Sequence, residues 1–181
     1  MSKLVTPIFR AAYLALFTPI GMKDDPDAKK KYSVKAIFEP GTDLTELKKV
    51  AQAVASEKWG KNIPKNARTP FRLNSDLDNP IQGVEDDAVI VNISAAEGKA
   101  PGVVGPDLRE ITDSVECYAG AYYRANIGVY AYDHKGNKGV AFGLHNIQKV
   151  RDGEPLDVGR IPAHKVFEPI EGSGGAAEIF S

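Results

Sequence analysis

Hydrophobic and polar residues alternate over five segments of the chain, and we predict a β-strand for each. The alternation is clearest in the second segment, where Tyr32, Val34, Ala36 and Phe38 share one face and polar residues occupy the other. Ile37 is the exception on the polar face. The predicted strands cover residues 9–17, 32–39, 88–95, 121–133 and 138–150.

One segment instead has helical periodicity. Apolar residues recur every three or four positions from Leu44 to Val54, which predicts an amphipathic helix over 44–59 that ends at Gly60. The proline- and glycine-containing stretches 61–80 and 97–113 are predicted to be long loops. Five strands and one helix favour a small, mainly β barrel over a sandwich, and an α/β parallel sheet lacks the helices it would need.

The length of 181 residues and the hydrophobic fraction of 43% suit a single domain. We expect this domain to cover residues 1–165, followed by a flexible tail over 166–181 that contains a Gly-Ser-Gly-Gly stretch. Lys3, Pro7 and Arg10 interrupt the N-terminal segment, so we predict neither a signal peptide nor a membrane span. The single cysteine, Cys117, excludes an intrachain disulfide and favours a reducing, cytoplasmic location.

The near-neutral total charge hides a segregation along the sequence. Residues 29–72 hold 11 lysines and arginines against 4 acidic residues, whereas residues 73–117 hold 2 against 10 and residues 152–181 hold 2 against 6. Such a basic block is compatible with an anionic partner, and equally with charges that simply follow solvated loops. The sequence blocks alone leave both interpretations open.

The predicted strand 121–133 has an unusual second face. It is too polar for a core yet rich in tyrosine, and it carries Tyr122, Arg124, Asn126, Gly128, Tyr130 and Tyr132. Tyrosines interleaved with an arginine are typical of a platform on which bases stack. If the hairpin places Asp133 opposite Lys138, small residues face the rings, and the further pairs are Tyr132–Gly139, Tyr130–Ala141 and Asn126–His145. The alternative is that these are ordinary β-prone tyrosines in cross-strand packing.

Basic residues that could hold phosphates lie mainly in and after the predicted helix. We select Lys65, Arg68 and Arg72 as phosphate contacts and Phe71 as an aromatic contact, whereas Trp59 is expected to plug the barrel end. Three further residues complete the predicted binding set: Lys35 on the polar face of the second strand, and His145 and Lys149 on the last strand. Lysine clusters beside strands also serve as solubility devices, which is the alternative for Lys35.

Enzymatic interpretations have little support in the sequence. The three histidines have no metal-binding spacing, and no nucleophile elbow or phosphate-binding loop is present. Glu85, Asp86 and Asp87 could bind Mg²⁺ in a nuclease, but such a cluster is more often a solvated turn. We therefore expect no catalytic residue, no metal and no cofactor, and a nuclease would reveal itself by Mg²⁺-dependent turnover.

A series of short motifs recurs in a recognisable order over about residues 6–156. They are Tyr32-Ser33-Val34, Gly41-Thr42-Asp43-Leu44, Glu57-Lys58-Trp59-Gly60, Pro70-Phe71-Arg72, Tyr118-Ala119-Gly120, Tyr130-Ala131-Tyr132 and, most specific, Asn146-Ile147-Gln148-Lys149-Val150-Arg151-Asp152-Gly153. In this order they resemble a phage single-stranded DNA-binding protein family of the Enterobacter-phage type.

The resemblance implies an OB-fold-like five-stranded barrel that coats single-stranded DNA (ssDNA) without sequence preference. It implies a non-enzymatic role in phage DNA replication and recombination, in the cytoplasm of the infected bacterial host. The predicted helix follows the second strand, whereas a standard OB-fold places it after the third. The alternative is a phage interaction or assembly factor that uses the same barrel without a nucleic-acid role.

The resemblance also bears on the tail. Related OB-fold binders often end in an acidic tail with a terminal aromatic residue that recruits partner proteins. Here the tail is only mildly acidic and Phe180 is followed by Ser181. The resemblance implies that residues 166–181 recruit phage or host replication proteins, but this tail departs from the family pattern.

Overall fold

The computed structural model describes residues 4–21, 27, 29–156 and 166–170. Within these ranges the chain forms one α-helix, α1 (Thr45–Trp59), and a seven-stranded sheet. The strands, in chain order, are β1 (Phe9–Ile20), β2 (Lys31–Phe38), β3 (Arg72–Leu73), β4 (Val89–Ala96), β5 (Gly102–Val104), β6 (Tyr122–His134) and β7 (Asn137–Arg151).

Five of the strands close into a barrel. β1 pairs antiparallel with β2 and β6, β2 pairs antiparallel with β4, and β6 pairs antiparallel with β7. A parallel pairing between β4 and β7 completes the ring. These are the five strands that hydrophobic alternation predicts, and the predicted OB-fold-like barrel with one helix is confirmed.

The two remaining strands were missed. β3 lies inside the predicted loop 61–80 and pairs with β4, and β5 lies inside the predicted loop 97–113 and pairs in parallel with β7. The prediction of uninterrupted loops was wrong at these two places. Strands of two and three residues are too short to show alternation, because their formation depends on the partner strand that they meet.

The barrel interior is filled by the inward face of each strand. On β6 this face is Tyr123, Ala125 and Ile127, all fully buried, as the alternation predicts. The helix α1 packs its buried stripe against β6 and β7. Trp59, at the end of α1, is half-buried against this core, which agrees with the packing role expected for it.

A second, smaller apolar cluster lies on the outer side of β1, β2 and β4 and explains the exception at Ile37. Ile37 is 2% exposed and packs with Ala12, Ala88 and Ile90 under Ile81 from the preceding loop. The loop is held by the buried Asn74 side chain, which accepts a hydrogen bond from the Ile81 amide (2.9 Å) and donates to the Ile81 carbonyl (3.2 Å). One outer surface of the sheet is therefore partly covered.

The register of the β6–β7 hairpin was predicted correctly near the turn and wrongly further away. The pairs Asp133–Lys138, Tyr132–Gly139 and Tyr130–Ala141 are confirmed. Asn126, however, lies opposite Asn146, because a register shift between Asn126 and Ile127 makes His145 an extra residue of β7. A β-bulge of this kind leaves no mark in the alternation of the opposing strand.

The predicted tail is described only in part. In residues 166–170 the side chains of Val166, Phe167 and Ile170 are exposed, and residues 171–181, with the Gly-Ser-Gly-Gly stretch and Phe180, lie outside the described residues. Among the helices in the described ranges, none has both the length and the apolar character to span a membrane.

Candidate nucleic-acid interface

The predicted tyrosines lie on the outside of the barrel. Because Tyr123, Ala125 and Ile127 point into the core, their alternate neighbours on β6 point outward. We call the outer surface formed by Tyr122, Arg124, Tyr130, Tyr132 and His145 the tyrosine face. Tyr130 is the most open of its rings, with 46% of its surface exposed.

Glycines beneath the tyrosine face let its rings lie close to the sheet. A Cβ atom built at Gly139 would come within 2.6 Å of the Tyr132 hydroxyl oxygen, and one at Gly128 within 2.7 Å of His145 Nε2. Gly143 lies below the Tyr130 ring, whose nearest atom would be 3.8 Å away from such a Cβ. A side chain at Gly139 or Gly128 would displace the ring above it, so glycine at these positions sets the flat shape of the platform.

The arginines of this surface are already held by neighbours. Arg124 Nε donates a hydrogen bond to Gln148 Oε1 (2.7 Å), and the Arg151 guanidinium lies 4.1 Å from the Tyr122 ring centroid. One face of the Tyr122 ring is therefore covered by a cation. Arg124 remains exposed, so its charge stays available to solvent at the edge of the platform.

Lys149 does not join the tyrosine face. It lies opposite Tyr123, on the core side of β7, and its side chain is only 14% exposed. Its ammonium lies 2.7 Å from Asp152 Oδ1 and donates to the Glu116 carbonyl oxygen at 2.7 Å. The hydrogen bond from Lys149 is the largest cause that lowers the pKa of Asp152. The structure thus gives Lys149 a local structural role where the sequence suggested a phosphate contact.

A second outer surface lies on the other side of the seam of the barrel, which is the pairing between β4 and β7. Lys35 on β2 pairs with Asn92 on β4, and Arg72 on β3 pairs with Ile90 on β4. We call the outer surface formed by Lys35, Arg72 and Asn92 the β2–β4 face. Burial, and secondly the charge of Arg72, lower the pKa of Lys35. Within the part of the chain that the structure describes, neither Lys35 nor Arg72 forms an ion pair. The lack of an ion pair is unusual for Lys35, because this lysine is half-buried.

The segment before β3 links the two surfaces. The Arg68 amide donates to the Lys138 carbonyl oxygen (2.8 Å), and the Val140 amide donates to the Arg68 carbonyl oxygen (3.1 Å). These bonds hold Arg68 beside Gly139, over which the Tyr132 ring lies. The exposed Arg68 side chain therefore starts from the edge of the tyrosine face.

Two other predicted residues of this segment lie elsewhere. Lys65 is exposed in the turn that precedes Arg68. Phe71 is half-buried, and its ring packs edge-on against the core residue Phe142 with a centroid distance of 5.6 Å. The Lys48 ammonium of α1 lies 6.0 Å from the centroid of the Phe71 ring. The structure thus places Phe71 between α1 and the barrel, away from the tyrosine face.

The tyrosine face and the β2–β4 face adjoin across the strand pair that closes the barrel. Ser94 of β4 lies beside Gly143 of β7, and Gly143 lies beneath Tyr130. In OB-folds, oligonucleotides bind to the face of the second and third barrel strands, which here are β2 and β4. Most of the candidates predicted from the sequence lie instead on the fourth and fifth barrel strands, β6 and β7.

Sequence reasoning missed one exposed aromatic residue on the β2–β4 side, Tyr13. Simple alternation assigns Tyr13 to the core, because Ala12 lies on the outer side and adjacent residues alternate. A register shift follows Ala12, and Tyr13 has a left-handed φ of 49°. Its ring is 47% exposed and lies 5.0 Å from the Lys35 ammonium. No signal in the alternation marks this bulge.

The acidic cluster proposed for a nuclease lies outside the residues that define the two surfaces. Glu85, Asp86 and Asp87 are exposed in the turn before β4. In the ranges that the structure describes, no three His, Cys, Asp or Glu side chains come together as a group able to hold a metal ion.

These features define a class of protein, an OB-type barrel with tyrosines on one outer surface and cations on the adjoining one. The family model described as Enterobacter phage Enc34, ssDNA-binding protein, matches residues 2–177. The chain belongs to this family. The resemblance found in the sequence motifs is thereby confirmed.

Solved structures of phage proteins share the fold at low sequence identity. The single-stranded DNA-binding protein from bacteriophage Enc34 has 18% identity and a TM-score of 0.65, with 91% of this chain and 89% of that chain covered. The same phage protein in complex with ssDNA has 19% identity and a TM-score of 0.67, with 83% and 87% covered. The single-stranded DNA-binding protein gp2.5 of bacteriophage T7 has 11% identity and a TM-score of 0.63, with 89% and 97% covered. No curated protein sequence matches the chain.

Proposed function

We propose that this chain is a phage single-stranded DNA-binding protein that coats ssDNA without sequence specificity during DNA replication and recombination. The observation that carries the proposal is family membership together with an outer surface on which exposed tyrosines adjoin cations that have no acidic partner among the described residues. The work of such a protein is binding, and the proposal includes no catalytic step and no cofactor. Its place of action is the cytoplasm of the infected bacterium.

Base stacking is assigned to the tyrosine face. Tyr130 and Tyr132 lie two residues apart on one strand, so their Cα atoms are about 7 Å apart, which is close to the spacing of successive nucleotides in an extended strand. His145 lies on the same surface over Gly128. Stacking on aromatic rings is insensitive to base identity, because every base has a π-face. This supports coating without sequence preference.

Phosphate binding is assigned to the cations around these rings. Arg124 lies at one end of the tyrosine face, Arg68 lies beside Tyr132, and Lys35 and Arg72 lie on the adjoining β2–β4 face. Lys65, exposed before Arg68, extends the same basic edge. We propose that one strand crosses from the tyrosine face to the β2–β4 face over the seam between β7 and β4. Lys149 and Phe71 are left out of this path because of their packed positions.

A fluorescence titration with oligo-dT at two salt concentrations tests the proposal, with duplex DNA of the same length as the control. We expect saturable binding to oligo-dT whose log K falls linearly with log salt, by about 0.7 per phosphate contact. An absence of saturable binding to oligo-dT at low salt would overturn the proposed function. Mg²⁺-dependent loss of the intact oligonucleotide in the same mixture would instead support the nuclease hypothesis.

A protein-recruiting role of the tail stays a proposal of its own. The exposed apolar side chains of Phe167 and Ile170 are available to a phage or host replication protein. A chain that ends at residue 165 should then bind oligo-dT and fail to recruit such a partner. Loss of oligo-dT binding in this truncation would show that the tail belongs to the DNA-binding domain.

A further inference from the structure

We infer that Tyr13 forms a separate base-stacking subsite on the β2–β4 side of the barrel, with Lys35 and Arg72 as the phosphate-binding pair beside it. The inference rests on the proposed function, because its ligand is one nucleotide unit of the same unpaired strand. It adds a position to the predicted set of contacts, all of which came from other strands or loops.

The backbone of Tyr13 is the first observation. Non-glycine residues with positive φ are uncommon, and for a bulky side chain they persist where the surrounding structure imposes them, often at functional sites. At Tyr13 the left-handed backbone (φ 49°) comes at the register shift after Ala12. Its effect is to bring an aromatic ring to the outer surface, although alternation would place it in the core.

The position of Lys35 is the second observation. The Lys35 ammonium lies 5.0 Å from the Tyr13 ring centroid and so occupies one side of the ring, while 47% of Tyr13 stays exposed. A cation over one face of a ring is attracted to the negative charge of that face. The opposite face of the ring is then left for a base. The exposed side of Tyr13 therefore has the geometry of a single stacking position.

The charge around Tyr13 is the third observation. Lys35 and Arg72 are close enough for Arg72 to lower the pKa of Lys35, and neither has an acidic partner among the described residues. Two neighbouring cations without a counter-ion are stabilised when an anion binds between them, and the phosphate of a nucleotide has the required charge. Asp76 contributes only its backbone carbonyl oxygen, which accepts from Arg72 at 3.0 Å.

A groove continues from Tyr13, and the bound DNA strand would follow it away from the subsite. The groove has a volume of about 850 Å³, and its lining includes Tyr13, Ser33 and Asn92 together with the exposed lysines Lys29 and Lys31. Polar side chains and lysines along an apolar floor suit a backbone of alternating phosphates and sugars. A nucleotide stacked on Tyr13 would therefore lie at the entrance of a basic channel.

Replacement of the ring tests the inference. Tyr13→Leu removes the aromatic face, Tyr13→Phe keeps it, and Leu108→Ala is the matched control, since Leu108 is also exposed with a positive φ (68°) but lies in the loop after β5. For oligo-dT of about 20 nucleotides, Tyr13→Leu should lower the affinity roughly 5- to 150-fold, and the other two variants should bind like the wild type. Circular dichroism melts of all variants check that the fold is kept.

Photocrosslinking of the wild-type protein gives a second readout that needs no variant. Oligo-dT that carries 5-iodouracil should crosslink to Tyr13, and mass spectrometry of the digested complex should find the modified peptide. Normal oligo-dT binding by Tyr13→Leu together with no crosslink at Tyr13 would overturn this inference and leave the proposed function intact. Failure of the wild-type protein to bind oligo-dT would overturn the proposed function itself.

Discussion

The two adjoining outer surfaces of the barrel differ in how their polar groups are satisfied. On the tyrosine face, rings lie over glycines, Arg124 is hydrogen-bonded to Gln148, and Arg151 covers Tyr122. On the β2–β4 face, Lys35 and Arg72 lie close together without an acidic partner in the described part of the chain. The first surface carries rings that are held by their neighbours, and the second carries two neighbouring cations that no described carboxylate neutralises.

From this difference we infer how the barrel holds one strand of DNA without reading its sequence. Stacking needs rigid rings, and rings held by their own neighbours lose little freedom on binding. Phosphate binding needs cations that are not already neutralised, because a cation paired with a carboxylate gains less from a phosphate. We therefore assign stacking mainly to the tyrosine face and phosphate neutralisation mainly to the β2–β4 face.

Charge reversal on the β2–β4 face should have the largest effect. In the double variant Lys35→Glu/Arg72→Glu, two phosphate contacts are lost and two repulsive charges are added. We expect the affinity for oligo-dT at low salt to fall by more than about 100-fold and the salt slope to fall by about 1.4, which corresponds to two contacts on a single strand. Titration at several salt concentrations measures both quantities, and an unchanged slope would remove this face from the binding site.

Truncation of Tyr130, the most open ring of the tyrosine face, should have the next largest effect. Tyr130→Ala should weaken binding to oligo-dT by about 1–3 kcal/mol, since one stacked base is lost, whereas the salt slope should stay the same. Tyr130→Phe is the matched control and should bind like the wild type. Equal affinities of the alanine variant and the wild type would exclude Tyr130 from the site.

Loss of a single cation should weaken binding less than loss of a ring, and its effect should depend on salt. Arg72→Ala should lower the salt slope by about 0.7, and the affinity difference from wild type should shrink as salt is raised. This response to salt separates a phosphate contact from a stacking contact. Lys149→Ala serves as the contrast, because its ion pair with Asp152 predicts little change in the slope and some loss of stability.

The smallest effect concerns stability. Because burial and Arg72 lower the pKa of Lys35, the folded protein holds this proton less tightly than the unfolded chain does. Lys35→Met should therefore raise Tm at neutral pH, by on the order of 1–3 °C, while weakening oligo-dT binding. The gain in Tm should shrink as the pH rises through the folded pKa, where wild-type Lys35 becomes neutral. A lower Tm for Lys35→Met would show that the charge stabilises the fold.

The barrel could be predicted from the sequence because its five strands are long enough to alternate. The outward direction of Tyr130 and Tyr132 followed from the same alternation, and the register near the hairpin turn followed from placing Asp133 opposite Lys138. Beyond the bulge at His145 the register failed, since an extra residue on one strand cannot be seen in the pattern of the other.

The β2–β4 face could be predicted only in part, for a related reason. Lys35 stands out as a lysine on an alternating strand, and Arg72 belongs to a basic run, but nothing in the sequence shows that they meet. Their proximity depends on the two-residue strand β3, whose position is set by its partner β4. Tyr13 was missed because a second bulge turns it outward, against the alternation of β1.

Affinity measured as a function of oligonucleotide length shows whether one DNA strand occupies both surfaces. Oligo-dT of increasing length is titrated against the wild type, Tyr130→Ala and Lys35→Ala/Arg72→Ala. If a single strand crosses the seam, the affinity of the wild type should rise steeply once the oligonucleotide spans both faces, and each variant should lose most of that rise. If each variant instead loses the same factor in affinity at every oligonucleotide length and keeps the steep rise, one strand does not cross from one face to the other.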